Sequence, residues 1–249
     1  MSGSLMDQFG REEDQSGTAG TTVVEDSSGD IHSPQRKRSP LTLLGIGLLV
    51  AGLACLGWVG FQYFGTNVIS EQVFQSEAEQ LRSKWQDQDE TDPKGRDQPT
   101  KVPGDAVALL RVPAFGDDYE VPILHGTDLS ILSKGVGHYE STAAPGQIGN
   151  FAIAGHRVTH GQPFAKLLTL KKGDEVIVET REAVYTYVME DSPRRLTVDD
   201  SETWVLDPVP GKKGAKPTEA LITLTTCQDL FRSPDRSIGF GRLQSTQNK

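Results

Sequence analysis

Apolar and polar residues follow three different patterns along this chain. Residues 1–40 are rich in Gly, Ser, Asp and Glu and have no apolar periodicity, which is typical of a disordered segment. Residues 41–64 are predominantly apolar and carry no charged side chain. From residue 105 onward, short apolar runs alternate with turns rich in Gly, Pro and Asp. These patterns predict a disordered tail, one long apolar helix and a domain built from β-strands.

The apolar segment, residues 41–64, is long enough to cross a membrane. As a helix it would rise about 36 Å, and a hydrocarbon core is about 30 Å thick. Basic residues occupy positions 36–38, and the first ionisable residue after the segment is Glu71. A cleaved signal peptide would have a shorter apolar core, and a lipoprotein site at Cys55 would carry Leu where this chain has Gly52. We predict a single-pass anchor in the cell membrane, with its N-terminal side cytoplasmic and the β-rich domain outside.

Residues 65–104 are predicted to link the anchor to the β-rich domain. Apolar residues recur among Glu and Gln over residues 68–85, which predicts a short amphipathic helix. The following charged stretch, "DQDETDPKGRDQPTKVPG", contains three prolines, and this composition is typical of a linker. The β-rich domain then occupies residues 105–249. If the linker only spaces the domain from the anchor, a protein without residues 1–102 is expected to be soluble and active.

Seven apolar runs predict the strands of an antiparallel barrel or sandwich. They are "AVALLRVP", "YEVPIL", "NFAIAG", "DEVIVET", "AVYTYVME", "ALITLTT" and "SIGFGRL". The stretch "TDLSILSKG" predicts one short helix, capped by Thr127 or Asp128 and ended by Gly135. The long connection "DSETWVLDPVPGKKGAKP" joins two predicted strands, and long loops on rigid barrels often line functional sites.

Charge and cysteine content exclude several classes of function. The formal net charge is −9, and no basic stripe is present to neutralise phosphates, which argues against nucleic-acid binding. The chain has two cysteines, and Cys55 cannot reach Cys227 if its segment lies in a membrane. No CxxC or Cys/His pairing indicates a zinc site.

Cys227 is the first candidate for chemistry. Free cysteines are usually buried and inert, but Cys227 ends an apolar run and is followed by polar residues, so its sulfur is expected at the end of a strand. A thiol with an ordinary pKa near 8.5 is only a few per cent thiolate at neutral pH. A nucleophilic Cys227 would therefore need a nearby histidine or cation.

His156 and Arg236 are the candidate partners of Cys227. His156 follows "NFAIAG" at the exit of another apolar run, whereas the other histidines after the anchor are expected to be solvated loop residues. If the last two strands pair antiparallel, Arg236 lies opposite Cys227 and Arg242 lies about 20 Å farther along. A surface position without any chemical role remains an alternative for each of these residues.

Several of these stretches resemble the motifs of one family. "TLTTC" followed by an arginine resembles the sortase signature TLxTC, and "IAGHR" resembles the sortase histidine motif. "GVGHYESTAAPGQIGNFAIAGHRVTHGQPF" is most similar to class E sortases of high-GC Gram-positive bacteria. The resemblance covers residues 105–243. It implies an all-β fold, the eight-stranded sortase β-barrel with one or two short helices, here preceded by a single transmembrane helix.

The resemblance also implies an activity and its residues. His156, Cys227 and Arg236 take the catalytic positions of the family, and Tyr139 and Thr226 take substrate-binding positions. The implied reaction is transpeptidation, in which a sorting signal of the LAxTG or LPxTG type is cleaved between Thr and Gly through a thioacyl intermediate.

The implied partners are secreted proteins with a C-terminal sorting signal, membrane lipid around the anchor, and an acceptor amine from a cell-wall precursor or a pilin lysine. No cofactor or metal is expected, because the region where class A sortases can hold calcium offers chiefly Glu140. Two alternatives stay open. One is a cysteine endopeptidase that hydrolyses the thioester with water, and the other is a membrane-tethered β-barrel that only binds peptides or partners.

Overall fold

Two helices precede the β-rich domain. The computed structural model describes residues 39–61, 65–91, 104–227 and 234–249. The predicted tail lies outside these ranges apart from its last two residues, as does most of the stretch with three prolines. Helix α1 spans Pro40–Gly60 and helix α2 spans Thr66–Thr91. Within the described ranges, α1 is the one helix long and apolar enough to cross a membrane. Its orientation across a membrane stays a prediction.

The β-rich domain contains nine strands. They are β1 (Ala106–Arg111), β2 (Glu120–His125), β3 (Val136–His138), β4 (Gly149–Ala154), β5 (Glu175–Glu179), β6 (Ala183–Met189), β7 (Thr197–Asp199), β8 (Ala220–Cys227) and β9 (Asp235–Asn248). All seven predicted strands are present, and the additional two, β3 and β7, have three residues each, too few to show a periodic pattern. The predicted short helix is α3, Leu129–Leu132, with Asp128 as its N-cap.

Eight of the strands close into a barrel, as predicted. The hydrogen-bonded order is β6-β5-β1-β2-β3-β4-β8-β9, and β9 pairs again with β6. Strand β9 is long enough to pair with two strands along its length. Its first half pairs with β8 and its second half with β6. The short strand β7 adds to the start of β9. Closure gives β6 a partner strand on each side, β5 and β9, and a paired edge is protected from pairing with other chains.

The prediction of an antiparallel barrel was incomplete, because two strand pairs are parallel. Strands β2 and β3 pair in parallel, and so do β4 and β8. A parallel pair requires a crossover of a dozen residues or more, and β5, β6 and β7 lie between β4 and β8 in the sequence. The consequence for function is that β4 and β8 finish at the same end of the barrel. We call this the upper end.

Large apolar side chains fill the barrel. Phe151 and Ile153 of β4 and Ile222 and Leu224 of β8 are fully buried in one cluster. Phe164, from the connection after β4, joins the same cluster. Each such side chain contributes about 1.5–3 kcal/mol relative to exposure. The strands that carry the candidate site are thus held by fully buried side chains of the main core.

Helix α2 packs against the barrel, and it is longer than the short helix predicted over residues 68–85. Its buried face repeats at helical spacing and consists of Phe74, Ala78, Leu81 and Trp85. Phe74 belongs to the main barrel core, while the other three pack around Leu109 of β1. The helix therefore contributes to the folded unit, although the division of the chain into tail, anchor, linker and domain stays a prediction.

This packing changes the expected result of truncation. A protein lacking residues 1–102 is expected to be less stable than one lacking residues 1–64, on the order of 5 kcal/mol, because it loses the burial of Phe74, Leu81 and Trp85. Urea unfolding of the two truncated proteins measures the difference. Equal free energies of unfolding would show that α2 is dispensable, as the linker interpretation expects.

Candidate active site

The parallel pairing of β4 with β8 brings His156 and Cys227 to the upper end of the barrel. The register runs from Gly149 opposite Ala220 to Ala154 opposite Thr225. His156 and Cys227 each follow two residues later, on neighbouring strands that are about 4.8 Å apart. Each residue follows or ends a strand, as predicted, whereas the pairing of these two strands was not predicted. The Cys227 side chain lies outside what the structure describes.

The antiparallel pairing of β8 with β9 adds Arg236 to the same end. Cys227 and Arg236 are directly opposite each other, as predicted. Arg242 is opposite Leu221 at the other end of the strand, where its guanidinium forms ion pairs with Glu190 and Glu219. Strand β8 therefore has a candidate acid–base residue on one neighbour and a candidate anion-binding residue on the other.

Thr226 connects the two candidate catalytic strands. Its hydroxyl donates a hydrogen bond to the carbonyl oxygen of Gly155, with an O–O distance of 2.7 Å, and the side chain is 3% exposed. The Gly155 amide donates in turn to the carbonyl of Thr225 at 3.1 Å. A side chain on Gly155 would come within 2.8 Å of the Phe164 ring. Thr226 thus holds the backbone immediately before His156, a contact that sequence patterns do not reveal, and its role in substrate binding stays a prediction.

The imidazole of His156 is half-buried and stacked. Its Nε2 atom is buried and has no hydrogen-bond partner among the described residues. Its ring lies against that of His160, with centroids 4.8 Å apart and planes inclined by 27°. Burial, together with a smaller contribution from charge repulsion by His160, lowers the pKa of His156 from its ordinary 6.5 to about 4. The resting imidazole is therefore neutral at pH 7, with a nitrogen available to exchange a proton.

Two of the three histidines predicted to be solvated, His125 and His138, are instead packed into the structure. His125 ends β2 and its side chain is 12% exposed. His138 ends β3, lies against the Phe151 ring, and has Nε2 3.0 Å from the carbonyl oxygen of Ala143. Burial lowers the pKa of His138 to about 4. For His138 the prediction was wrong because a three-residue strand such as β3 leaves no pattern that distinguishes it from a loop, and for His125 it was wrong because the predicted strand ended one residue too early.

The guanidinium of Arg236 is held in place by β7 and the chain after it. Val198 of β7 is opposite Arg236, and the next loop places Asp200 Oδ2 3.2 Å from Arg236 Nη2. A second donor, Nη1, contacts the carbonyl oxygen of Asp235 at 3.2 Å. The side chain remains 29% exposed. A cation that is oriented by protein groups and still partly accessible can bind a developing oxyanion or a peptide carbonyl.

A cavity of about 190 Å³ lies beside Arg236. Tyr139 and Thr225 line it together with the end of β7 and with five residues of the long connection that was predicted to line a site, namely Asp200, Glu202, Thr203, Val205 and Leu206. Asn150 fastens this connection to β4, because its side-chain amide donates to the carbonyl oxygens of Val205 and Asp207 at 3.0 and 3.1 Å. Tyr139 and Arg236, which were singled out for different reasons, thus line one cavity.

The described residues contain no group of three or more His, Cys, Asp or Glu side chains that could hold a metal ion. Glu140 is paired with His125, with 3.8 Å between its Oε1 and the imidazole Nε2. That no metal is required stays a prediction.

Comparisons with known proteins agree with this architecture. The family model described as Sortase domain matches residues 110–244. Over 203 residues the chain is 36% identical to Sortase SrtE1 of Streptomyces coelicolor. The alignment covers 78% of this chain and 54% of that protein. This chain therefore spans about half the length of that curated relative.

Two solved structures are similar to the chain. Sortase E from Streptomyces avermitilis is 39% identical with a TM-score of 0.53, and the match covers 59% of this chain and 93% of that one. Sortase E1 from Streptomyces coelicolor, solved with a tripeptide in its active site, is 37% identical with a TM-score of 0.51. That match covers 60% of this chain and 94% of the solved one.

Proposed function

The chain belongs to the sortase family of cysteine transpeptidases, and on that premise we propose that it cleaves a C-terminal sorting signal and transfers the protein to an amine. The observation that carries the proposal is the pairing of β8 with both β4 and β9. This pairing supports a site in which His156, Cys227 and Arg236 act together. The signal is of the LAxTG or LPxTG type, cleaved between Thr and Gly.

The proposed reaction begins when the neutral imidazole of His156 accepts the proton of the Cys227 thiol. The thiolate attacks the carbonyl carbon of the Thr residue and forms a tetrahedral oxyanion, which Arg236 stabilises. As this intermediate collapses, the imidazolium of His156 protonates the departing Gly amine, leaving a thioester on Cys227. An incoming amine then attacks the thioester, gives a proton to His156 and releases the thiol.

The acceptor amine belongs to a cell-wall precursor or to a pilin lysine, and α1 anchors the enzyme with its N-terminal side in the cytoplasm. Hydrolysis of the thioester by water is the competing outcome. A pentapeptide incubated with the full chain in detergent, with and without added diglycine, tests the proposal by mass spectrometry. A ligated product supports transfer to an amine, and hydrolysis alone indicates an endopeptidase. If LAxTG and LPxTG peptides both stay intact, the protein is a binding module.

We predict that LAxTG peptides are cleaved faster than LPxTG peptides. Tyr139→Phe should lower the ratio of kcat/KM for LAxTG to kcat/KM for LPxTG. The Tyr139 phenol can donate a hydrogen bond to the peptide backbone, whereas proline has a fixed φ and no N–H and presents a different backbone. One such hydrogen bond corresponds to about a 2- to 10-fold change. The measurement is kcat/KM for both peptides with both proteins. Equal values for the two peptides in the unmodified protein would exclude the class E preference but not the sortase assignment.

A further inference from the structure

The loop that follows His156 has an unusual backbone. His160, Gly161 and Gln162 have φ values of 53°, 74° and 49°. Left-handed conformations cost a non-glycine residue on the order of 1 kcal/mol or more and persist only where the surroundings enforce them. The loop is closed at its base by the Phe164 amide, which donates to the carbonyl oxygen of His156 at 2.9 Å. The tip is a turn that the Gln162 amide closes by donating a hydrogen bond to the carbonyl oxygen of Thr159 at 3.1 Å, and contacts from another element stabilise it further.

Helix α2 supplies those contacts. The Gly161 amide donates a hydrogen bond to Oδ1 of Asn67, in the first turn of α2, at 2.9 Å. The Phe74 ring also covers Gly161, since a side chain there would come within 2.6 Å of it. Ser70, one turn after Asn67, donates to the carbonyl oxygen of Ser133 at 3.0 Å and fixes this end of the helix to the domain. The tip of the loop is therefore bound to a helix and not only to the barrel.

On its other side, the loop touches His156. The ring of His160, the first of the left-handed residues, is the one that stacks on the His156 imidazole. Nδ1 of His160 also lies 3.0 Å from the Thr159 hydroxyl. A continuous series of contacts thus runs from Asn67 through Gly161 and His160 to His156. Of these residues, Asn67 lies outside every stretch of sequence that was used to identify the site.

We propose that Asn67 and His160 are positioning residues for His156. Helix α2, which carries Asn67, then contributes to catalysis by orienting the His156 imidazole. The hydrogen bond from Gly161 to Asn67 keeps His160 in its left-handed conformation, and the His160 ring then holds the His156 imidazole in the orientation that proton transfer requires. This inference rests on the acid–base role of His156 in the proposed function. The cavity lined by Tyr139 and Arg236 is not part of the series, so peptide binding is unaffected.

The test uses the full chain in detergent with variants of Asn67. Asn67→Ala is expected to lower kcat about 10- to 100-fold, as small misplacements of catalytic groups do, while KM changes by less than about twofold. Asn67→Asp keeps an oxygen acceptor for the Gly161 amide and should restore most of kcat. The matched control is Arg82→Ala on the same helix, which breaks the 2.6 Å ion pair with Glu120 about 22 Å from Asn67. This control should retain kcat.

The orientation of His156 can also be followed directly. His160→Asn tolerates the left-handed backbone but removes the ring, so it should lower kcat and move the NMR resonance of His156 Cε1–H, as Asn67→Ala should. An unchanged kcat in Asn67→Ala, or a lowered kcat with an unmoved His156 resonance, would overturn the inference. So would a failure of Asn67→Asp to restore kcat. Persistent cleavage by a protein without the Cys227 thiol would instead overturn the proposed function.

Discussion

Replacing Cys227 by alanine is expected to abolish both peptide cleavage and transfer to an amine. Without the thiol no thioester can form, so the loss of kcat should reach about 10⁴-fold or more, as it does for other covalent nucleophiles. The fold should persist, because Cys227 is the last residue of β8 and the pairing of this strand with β4 ends two residues earlier. Reverse-phase analysis of the peptide products and the midpoint of thermal unfolding measure the two effects.

The chain provides its own control for this experiment. Cys55 is exposed on α1, in the segment predicted to lie in the membrane, and Cys55→Ala should retain full activity. It also leaves a single thiol for labelling with a peptide-based reagent. Substantial turnover by Cys227→Ala, or loss of turnover in Cys55→Ala, would contradict the assignment of the nucleophile.

Arg236→Ala is expected to lower kcat/KM about 10²- to 10³-fold, the usual cost of removing one donor to an oxyanion. The reason is its position opposite Cys227 and the two contacts, to Asp200 and to the Asp235 carbonyl, that orient its guanidinium. Arg236→Lys keeps the charge but not the planar fork of donors. It should therefore recover only part of the loss. Steady-state kinetics with one peptide and a fixed amine concentration provide the comparison.

Arg242→Ala is the matched control, because Arg242 lies on the same strand but faces the opposite end of β8. Its ion pairs with Glu190 and Glu219 are exposed, and exposed pairs contribute about 0–1 kcal/mol. The variant should retain kcat/KM and lose little stability. If Arg242→Ala were the more damaging of the two, the oxyanion would have to be stabilised elsewhere.

The strands and one register of the site could be predicted from local sequence. Runs such as "ALITLTT" and "DEVIVET" are long enough to show β-strand composition between turn residues. The position of Arg236 opposite Cys227 followed from counting along two strands joined by one loop. Such a prediction is possible because an antiparallel pair joined by one loop has few alternative registers.

Features that depend on residues far apart in sequence could not be predicted. Nothing local in β4 indicates that it pairs in parallel with β8, and nothing in "TLTTC" indicates that Thr226 binds the carbonyl of Gly155. The apolar face of α2 could be predicted from its periodic pattern, but the pattern does not show which part of the molecule packs against that face. The left-handed residues after His156 could not be predicted either, because Gly161 is the only one of the three whose lack of a side chain suggests such a conformation.

The double pairing of β9 determines when during folding the active site is assembled. Strand β9 follows all the other strands in the chain, and its partners on β6 include Ala183 opposite Asn248, two residues far apart in sequence. Contacts of this kind form slowly. Until β9 pairs with them, β6 and β8 each have an unpaired edge, and such edges favour aggregation. The strand that removes both edges also brings Arg236 opposite Cys227. Because the pairing of β9 with β8 joins consecutive strands, it can form before β9 pairs with β6, so the candidate site can be assembled before a newly made chain is fully protected from aggregation.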